Sequence, residues 1–230
     1  MSALMQLEDV VKEFRSAPPV RPLDGVSLAV EPGTIVAVTG VSGKGKSTLL
    51  NVMGGLLRVD SGAVRYRGRD LARASASELD AVHRCGIGFV FQSPYLFQAL
   101  TARENLALAA RAAGGAVDGR AIDGALETLG LADRADHLPG ELSVGQKRRL
   151  VLARALLAGH DLLLADEPTN DLDAEWSDAV FARFRAFVAE GERAVVIVTH
   201  DGAYARQADE IYRLEEGKLV REEEPCGKPC

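Results

Sequence analysis

The chain has 230 residues, 47% of them hydrophobic and 26% charged, with a formal net charge of −6. This is the balance of a globular protein, long enough for a sizeable core and for one domain or one with a subdomain. The negative balance argues against bulk nucleic-acid binding, and no apolar run of 18 residues is present to span a bilayer. The first residues, MSALMQLEDVVKEF, lack the basic-then-apolar order of a secretion signal, so a cytoplasmic location is expected. Three cysteines do not make a disulfide framework. Cys85 precedes an apolar strand and is expected to be a buried thiol. Cys226 and Cys230 fall in a Pro/Gly/Glu tail, 223–230, expected to be frayed, because two thiols do not complete a tetrahedral zinc site.

Residues 4–14 and 26–31 alternate like strands, with Pro18, Pro19 and Pro22 interrupting the stretch between them, which predicts a hairpin-like β-layer. Phe14 stands near the end of the first strand. Residues 35–38 are apolar and rich in β-branched side chains, as in a buried strand. The strand runs into Gly40, and Gly40, Gly43, Gly45, Lys46 and Ser47 fit the pattern G-x-x-x-x-G-K-[ST]. Thr48, Leu49, Leu50, Val52 and Met53 open a helix expected over 46–57. Strand, glycine turn and helix N-terminus together make a phosphate site. Glycines let backbone N–H groups turn inward around an anion, and the helix end adds partial positive charge. Lys46 is placed to reach β- and γ-phosphates and Ser47 to offer its hydroxyl to Mg²⁺.

A short strand over 62–66, a helix over 76–84 and a buried strand over 87–91 follow, the last ending at Gln92. Ser93, Pro94 and Tyr95 open a loop. The stretch 101–158 is mostly helical. Its first helix is capped by Thr101 with Glu104 three residues on, a capping box, and is closed by Gly114 and Gly115. A second helix covers 121–130, stopping at Gly130, and a third runs from Ser143 to about Leu157. A helical block between two strands predicts a subdomain of about 93–158 beside the sheet, within a domain of 1–222. Residues 162–165 form the next buried strand, ending in Asp166–Glu167–Pro168. Trp176, Val180, Phe184, Phe187 and Val188 recur at helical spacing in 174–190 and are expected to be core. The strand 194–198 leads to His200, and 210–221 reads as a hairpin around Glu216–Gly217. Strands alternating with helices call for an α/β sheet.

Phosphoryl transfer needs a phosphate cradle, a metal, a positioned water and charge stabilisation. Asp166 and Glu167 sit at the carboxyl end of a strand, where such sheets place their ligands. Asp166 suits Mg²⁺ and Glu167 suits a hydrogen bond from an attacking water. His200 follows another strand end, facing a γ-phosphate from the side opposite Lys46, and Gln92 follows a third, where a neutral amide can ligate Mg²⁺ or water.

Leu142-Ser143-Val144-Gly145-Gln146 resembles the signature LSGGQ of the ATP-binding cassette (ABC) ATPases. The P-loop 40–48, a Q-loop at Gln92, a Walker B run at 162–167, a D-loop at Asn170-Asp171-Leu172-Asp173 and an H-loop at His200 stand in family order over almost the whole chain. The resemblance implies a P-loop NTPase of the ABC cassette type, a mixed sheet core with an antiparallel β-layer and an inserted helical subdomain. It implies a head-to-tail homodimer with two ATP molecules, each held between the P-loop of one copy and the signature of the other. Nucleotide contacts then fall to Phe14 at the adenine-stacking position, to Gly40, Ser42, Gly43, Lys44, Gly45, Lys46, Ser47 and Thr48, to Gln92, and, for the partner's ATP, to Ser143, Gly145 and Gln146. Ser47, Gln92 and Asp166 would serve Mg²⁺, and Glu167, His200 and Lys46 the hydrolytic step.

Within the family, Gly88 to Gln92, Leu100 to Asn105, Leu138 to Ser143 and Leu164 to Thr169 look like the lipoprotein-releasing and macrolide-export type. The resemblance then implies a separate transmembrane permease docked on 93–100 and helix 101–113, on the inner face of the cell membrane, with no nucleic-acid partner. Tyr95, Leu96 and Phe97 are apolar enough for a docking patch and equally for core. Other readings are a non-transport cassette that signals through a membrane partner, as in cell division, or acts on DNA or ribosomes, and a regulatory module that binds ATP without hydrolysing it. The chain departs from the pattern at Val144, which replaces the first signature glycine, at Lys44, usually a small residue, and at Asn170 and Asp171 of the D-loop. A β-branched residue at a helix N-terminus facing phosphate crowds the nucleotide. Val144→Gly is therefore expected to raise the ATPase rate, and an unchanged or lower steady-state rate in that variant contradicts this.

Overall fold

A computed structural model describes residues 3–114, 118–189 and 191–222, so Gly115, Cys226, Cys230 and the tail 223–230 lie outside the described residues. Two sheets form the frame. β1 (Met5–Phe14), β2 (Val20–Val30), β4 (Ser61–Tyr66) and β5 (Arg69–Asp70) make an antiparallel layer in the order β2-β1-β4-β5. β3 (Ile35–Thr39), β6 (Ile87–Val90), β7 (Leu162–Asp166), β8 (Ala194–Val198), β9 (Glu210–Glu215) and β10 (Lys218–Glu222) make the larger sheet, in the order β10-β9-β3-β8-β7-β6. It is parallel from β9 to β6, with β10 antiparallel at one edge.

The short apolar strands are buried on both faces, and their period-2 alternation sorts the side chains into two cores. Val36, Val38, Leu162, Leu164, Val196 and Val198 face one core, shared with α1 (Lys46–Met53) and the antiparallel layer. Ile35, Leu163, Ala165, Val195 and Ile197 face the other. That second core is covered by α3 (Ala102–Ala112), α4 (Gly119–Thr128), α5 (Val144–Leu157) and α6 (Ala174–Val188). The helical block is thus packed into the same apolar cluster as one sheet face. α2 (Ala76–Cys85) lies at the β6 edge and the one-turn α7 (Gly202–Ala205) follows β8. The expected capping box of α3 is present: Thr101 Oγ1 accepts from Glu104 N at 3.2 Å, and Glu104 Oε2 accepts from Thr101 N at 2.8 Å.

Several expectations are corrected. The second strand starts at Val20 and runs through Pro22, which is tolerated because β2 is the edge of its sheet and needs no amide donor there. The P-loop helix stops at Met53 rather than reaching 57, because Gly55 turns the chain into the left-handed region at φ 70°, a common helix stop; Gly54 before it lies under the Phe89 ring, where a Cβ would stand 1.9 Å from Phe89 Cζ. The second helix of the block spans Gly119–Thr128, two residues earlier than expected. Cys85 is exposed, not buried: α2 buries only Val82, and the thiol donates to Ala113 O at 3.4 Å on the rim of the fold. Trp176 is half-buried rather than core, its ring covered by the Arg149 guanidinium 3.8 Å from the centroid. The Tyr95–Leu96–Phe97 stretch divides: Leu96 is buried, while Tyr95 and Phe97 are 65% and 56% exposed.

Candidate nucleotide site

Four strand ends converge. β3, β8, β7 and β6 are neighbours in the parallel sheet, and Val38 pairs with Val198, Val198 with Asp166, and Ala165 with Val90. The segments after them, which carry Gly40, His200, Glu167 and Gln92, therefore leave the sheet along one edge. This is the carboxyl edge where open α/β sheets bind ligands.

The glycine loop has the backbone that a cradle requires. Gly40 has φ 146°, and a Cβ there would stand 2.5 Å from Leu214 O. Gly45 caps α1 from the left-handed region at φ 107°, with Pro22 O only 2.8 Å from where a Cβ would stand. No side chain caps α1, so its first-turn N–H groups remain available to an anion. Lys46 is buried at 7% exposure, and its ammonium donates to Gly40 O at 2.8 Å and Val41 O at 3.4 Å. The charge sits inside the loop. Ser42, Gly43 and Lys44 are exposed on its outer side, with Thr48 half-buried behind them.

Ser47, in the first turn of α1, and Asp166, at the end of β7, come together at this edge, where the hydroxyl favours the ionised carboxylate. Burial pushes the Asp166 carboxyl above its usual range, a rise that Ser47 and Lys46 oppose and Glu167 adds to. Hydroxyl and carboxylate are hard oxygen donors of the kind Mg²⁺ takes together with water and phosphate. Among the described residues no group of three or more His, Cys, Asp or Glu forms a cage of its own.

Glu167 is 8% exposed, and its Oε2 gathers three contacts: His200 Nδ1 at 2.9 Å, Thr199 Oγ1 at 3.2 Å and His200 N at 3.4 Å. Its φ of 49° is unusual for a residue with a side chain, and such strain is held where the surroundings over-determine it. Here Glu167 N donates to Val198 O and Glu167 O accepts from Asn170 N. The carboxylate is thereby swung toward β8 and His200.

Ser143 caps α5 with a second capping box: its Oγ accepts from Gln146 N at 3.2 Å, and Gln146 Oε1 accepts from Ser143 N at 2.8 Å. These partners lie within one turn, so the turn is pre-formed at the surface. Val144, at 58% exposure, stands outward beside it. Gly145 packs on the D-loop, since a Cβ there would lie 3.2 Å from Asp171 O. Phe14, 40% exposed, is flanked by Lys12 Nζ 5.7 Å from its ring centre.

Two contributors were not singled out from the sequence. Thr199 bonds Glu167 and also accepts from Asp201 N. Arg148 is 2% exposed, donates to Phe91 O and Gln92 O, and faces Asp171. Its signal was a cation at helical spacing with Leu152 and Ala155, on the buried face of α5.

A glycine cradle with a buried lysine, joined to an acidic pair at the end of β7 on the same sheet edge, defines a P-loop nucleotide-binding cassette. Residues 23–170 match the family described as ABC transporter, and the chain belongs to that family as an ATPase cassette. It is 42% identical over 200 residues to the macrolide export ATP-binding/permease protein MacB of Rhodopseudomonas palustris, covering 86% of this chain and 30% of that protein. It is 39% identical over 226 residues to the pyoverdine export ATP-binding/permease protein PvdT of Pseudomonas entomophila, covering 96% and 34%. The chain thus spans about a third of the length of these curated relatives. Its fold matches the ATP-binding cassette MJ0796, solved as a dimer in a post-hydrolysis state with ADP and Pi, at a TM-score of 0.89 and 33% identity, over 97% of this chain and all of that one. Among the described residues no helix is long and apolar enough to cross a membrane.

Proposed function

We propose that the chain hydrolyses ATP to drive export, or lipoprotein release, through a transmembrane permease, and does so as a head-to-tail pair of cassettes at the inner face of the membrane. The observation that carries this reading is the joining of Lys46, Asp166 and the Glu167–His200 pair at one sheet edge, with a pre-formed, outward-facing Ser143 turn elsewhere on the surface. The box occupies Gln146 N and fixes the turn, and the remaining first-turn N–H groups at this exposed helix end suit an anion that its own P-loop does not hold. The second copy supplies that anion, the γ-phosphate of its ATP. In this reading 93–158 acts as a subdomain of a 1–222 cassette.

Lys46 and the N-terminal N–H groups of α1 bind the phosphates, with Gly40, Ser42, Gly43, Lys44, Gly45 and Thr48 shaping the loop. Phe14 stacks on the base. Ser47, Asp166 and the Gln92 amide hold Mg²⁺, which neutralises phosphate charge when bound. Glu167 orients water and accepts its proton. His200, fixed through Nδ1 to Glu167, presents its remaining ring nitrogen to the γ-phosphate. Exposed Val144 crowds that approach, in keeping with the faster turnover expected of Val144→Gly. Tyr95 and Phe97 form the apolar part of the permease-docking surface, seated by Leu96.

Affinity purification of the tagged chain from detergent-solubilised membranes tests the assignment. Co-elution of a polytopic protein with a large extracytoplasmic domain, lost on Tyr95→Asp/Phe97→Asp substitution, is the expected result. Co-elution with DNA or ribosomes and no polytopic protein contradicts it.

A further inference from the structure

One buried cation ties together three parts of the site. Arg148 Nη1 donates to Phe91 O at 2.9 Å, Nη2 donates to Gln92 O at 2.5 Å, and Nη2 stands 3.6 Å from the Asp171 carboxylate. Six residues along the same helix, Arg154 Nη1 donates to Tyr95 O at 2.5 Å. Residues 91–95 thus hang from α5 by three carbonyls. The same helix begins at Ser143, and its Gly145 packs on the Asp171 backbone. Asp171 itself sits at φ 65°, which turns its carboxylate-bearing residue back toward α5.

A guanidinium is a costly way to fill this space. It is 2% exposed, its Nε has no partner, and an apolar side chain of the same length would avoid the desolvation. What an apolar side chain lacks is direction. The planar fork fixes two successive carbonyls at once, and its charge faces the D-loop carboxylate.

We propose that Arg148, with Asp171, is a positioning residue for ATP hydrolysis: it sets Gln92 and the D-loop against the Ser143 end of α5, so that the docking segment and the nucleotide-facing turn move as one body. This rests on the reading above that Gln92 and Ser143 serve nucleotide. Asp171 is one of the D-loop departures from the family pattern, and Arg148 gives that departure a partner.

The test is steady-state ATPase kinetics with melting curves for wild type, Arg148→Lys, Asp171→Asn and the double variant. Lysine keeps the charge but cannot span two carbonyls. Asparagine removes the ion pair at a half-exposed side chain and tolerates the left-handed backbone. The expected result is a kcat lowered about fivefold to tenfold in each single variant, with KM for ATP within twofold of wild type, an unchanged Asp171→Asn melting temperature, and a double variant no slower than the slower single. Wild-type kcat in a folded Asp171→Asn protein overturns the proposal and leaves the ATPase reading standing, and so does a loss of melting temperature with no change in kcat. Absence of turnover in the wild type overturns both. If Arg148→Lys does not fold, Asp171→Asn alone decides.

Discussion

Replacing Glu167 by glutamine is expected to lower kcat by at least about 100-fold, the usual reach of a positioned general base, while leaving ATP bound as tightly as before. The substitution is nearly isosteric, and the carboxamide oxygen can still accept from Thr199 Oγ1 and His200 N, which now bond Glu167 Oε2 at 3.2 and 3.4 Å. What is lost is the negative charge, which in the proposed role takes a proton from water and which also strengthens the contact with His200 Nδ1 at 2.9 Å. Neither touches the P-loop. Phosphate release and equilibrium binding of an ATP analogue, measured on the same preparation, separate the two effects. A variant that turns over ATP at the wild-type rate removes Glu167 from its role. Because ATP then persists, the variant is also expected to accumulate as an ATP-bound dimer.

Lys46→Ala is expected to do the opposite, removing binding and with it turnover. The ammonium is buried in the loop against Gly40 O and Val41 O, so a phosphate entering the cradle meets a charge already desolvated and held in place. Truncating one partner of such a buried charge pair costs about 2–5 kcal/mol, which is roughly 30- to 5,000-fold in affinity. The fold is expected to survive, because Leu49, Leu50, Val52 and Met53 carry the packing of α1 and are untouched. Titration of a fluorescent ATP analogue together with a melting curve checks both halves. Affinity unchanged in a folded variant contradicts the phosphate role of Lys46.

The parts of this molecule that were legible in the sequence are those dictated by short-range chemistry. Residues 35–38, 162–165 and 194–198 are unbroken apolar runs because both sheet faces are covered, so they read as buried strands, and the residue after each marks the site edge. The glycine pattern and the capping box at Thr101 are likewise local, each decided within four to eight residues. What was not legible depends on partners far along the chain. The strand order β10-β9-β3-β8-β7-β6 joins residues up to 174 apart, as in the Ile35 N bond to Asp209 Oδ2. Pro22 reads as a break but lies in an edge strand that does not need its amide. Cys85 reads as core beside an apolar strand, yet α2 sits too far out on the rim to bury it. Arg148 was not singled out, because only the fold brings the Phe91 and Gln92 carbonyls, 57 and 56 residues away, to its guanidinium.

Behind all these roles stands one geometric claim, that a nucleotide held by Lys46 of one copy is closed over by Ser143 of another. The mass of the Glu167→Gln protein in Mg²⁺ and ATP, by size exclusion with light scattering, measured with and without Ser143→Arg, tests it most directly. Glu167→Gln is expected to be a dimer, and adding Ser143→Arg is expected to give a monomer that still binds ATP with unchanged affinity. A dimer that persists with Ser143→Arg, or a monomer that loses its own nucleotide as Lys46→Ala does, contradicts it.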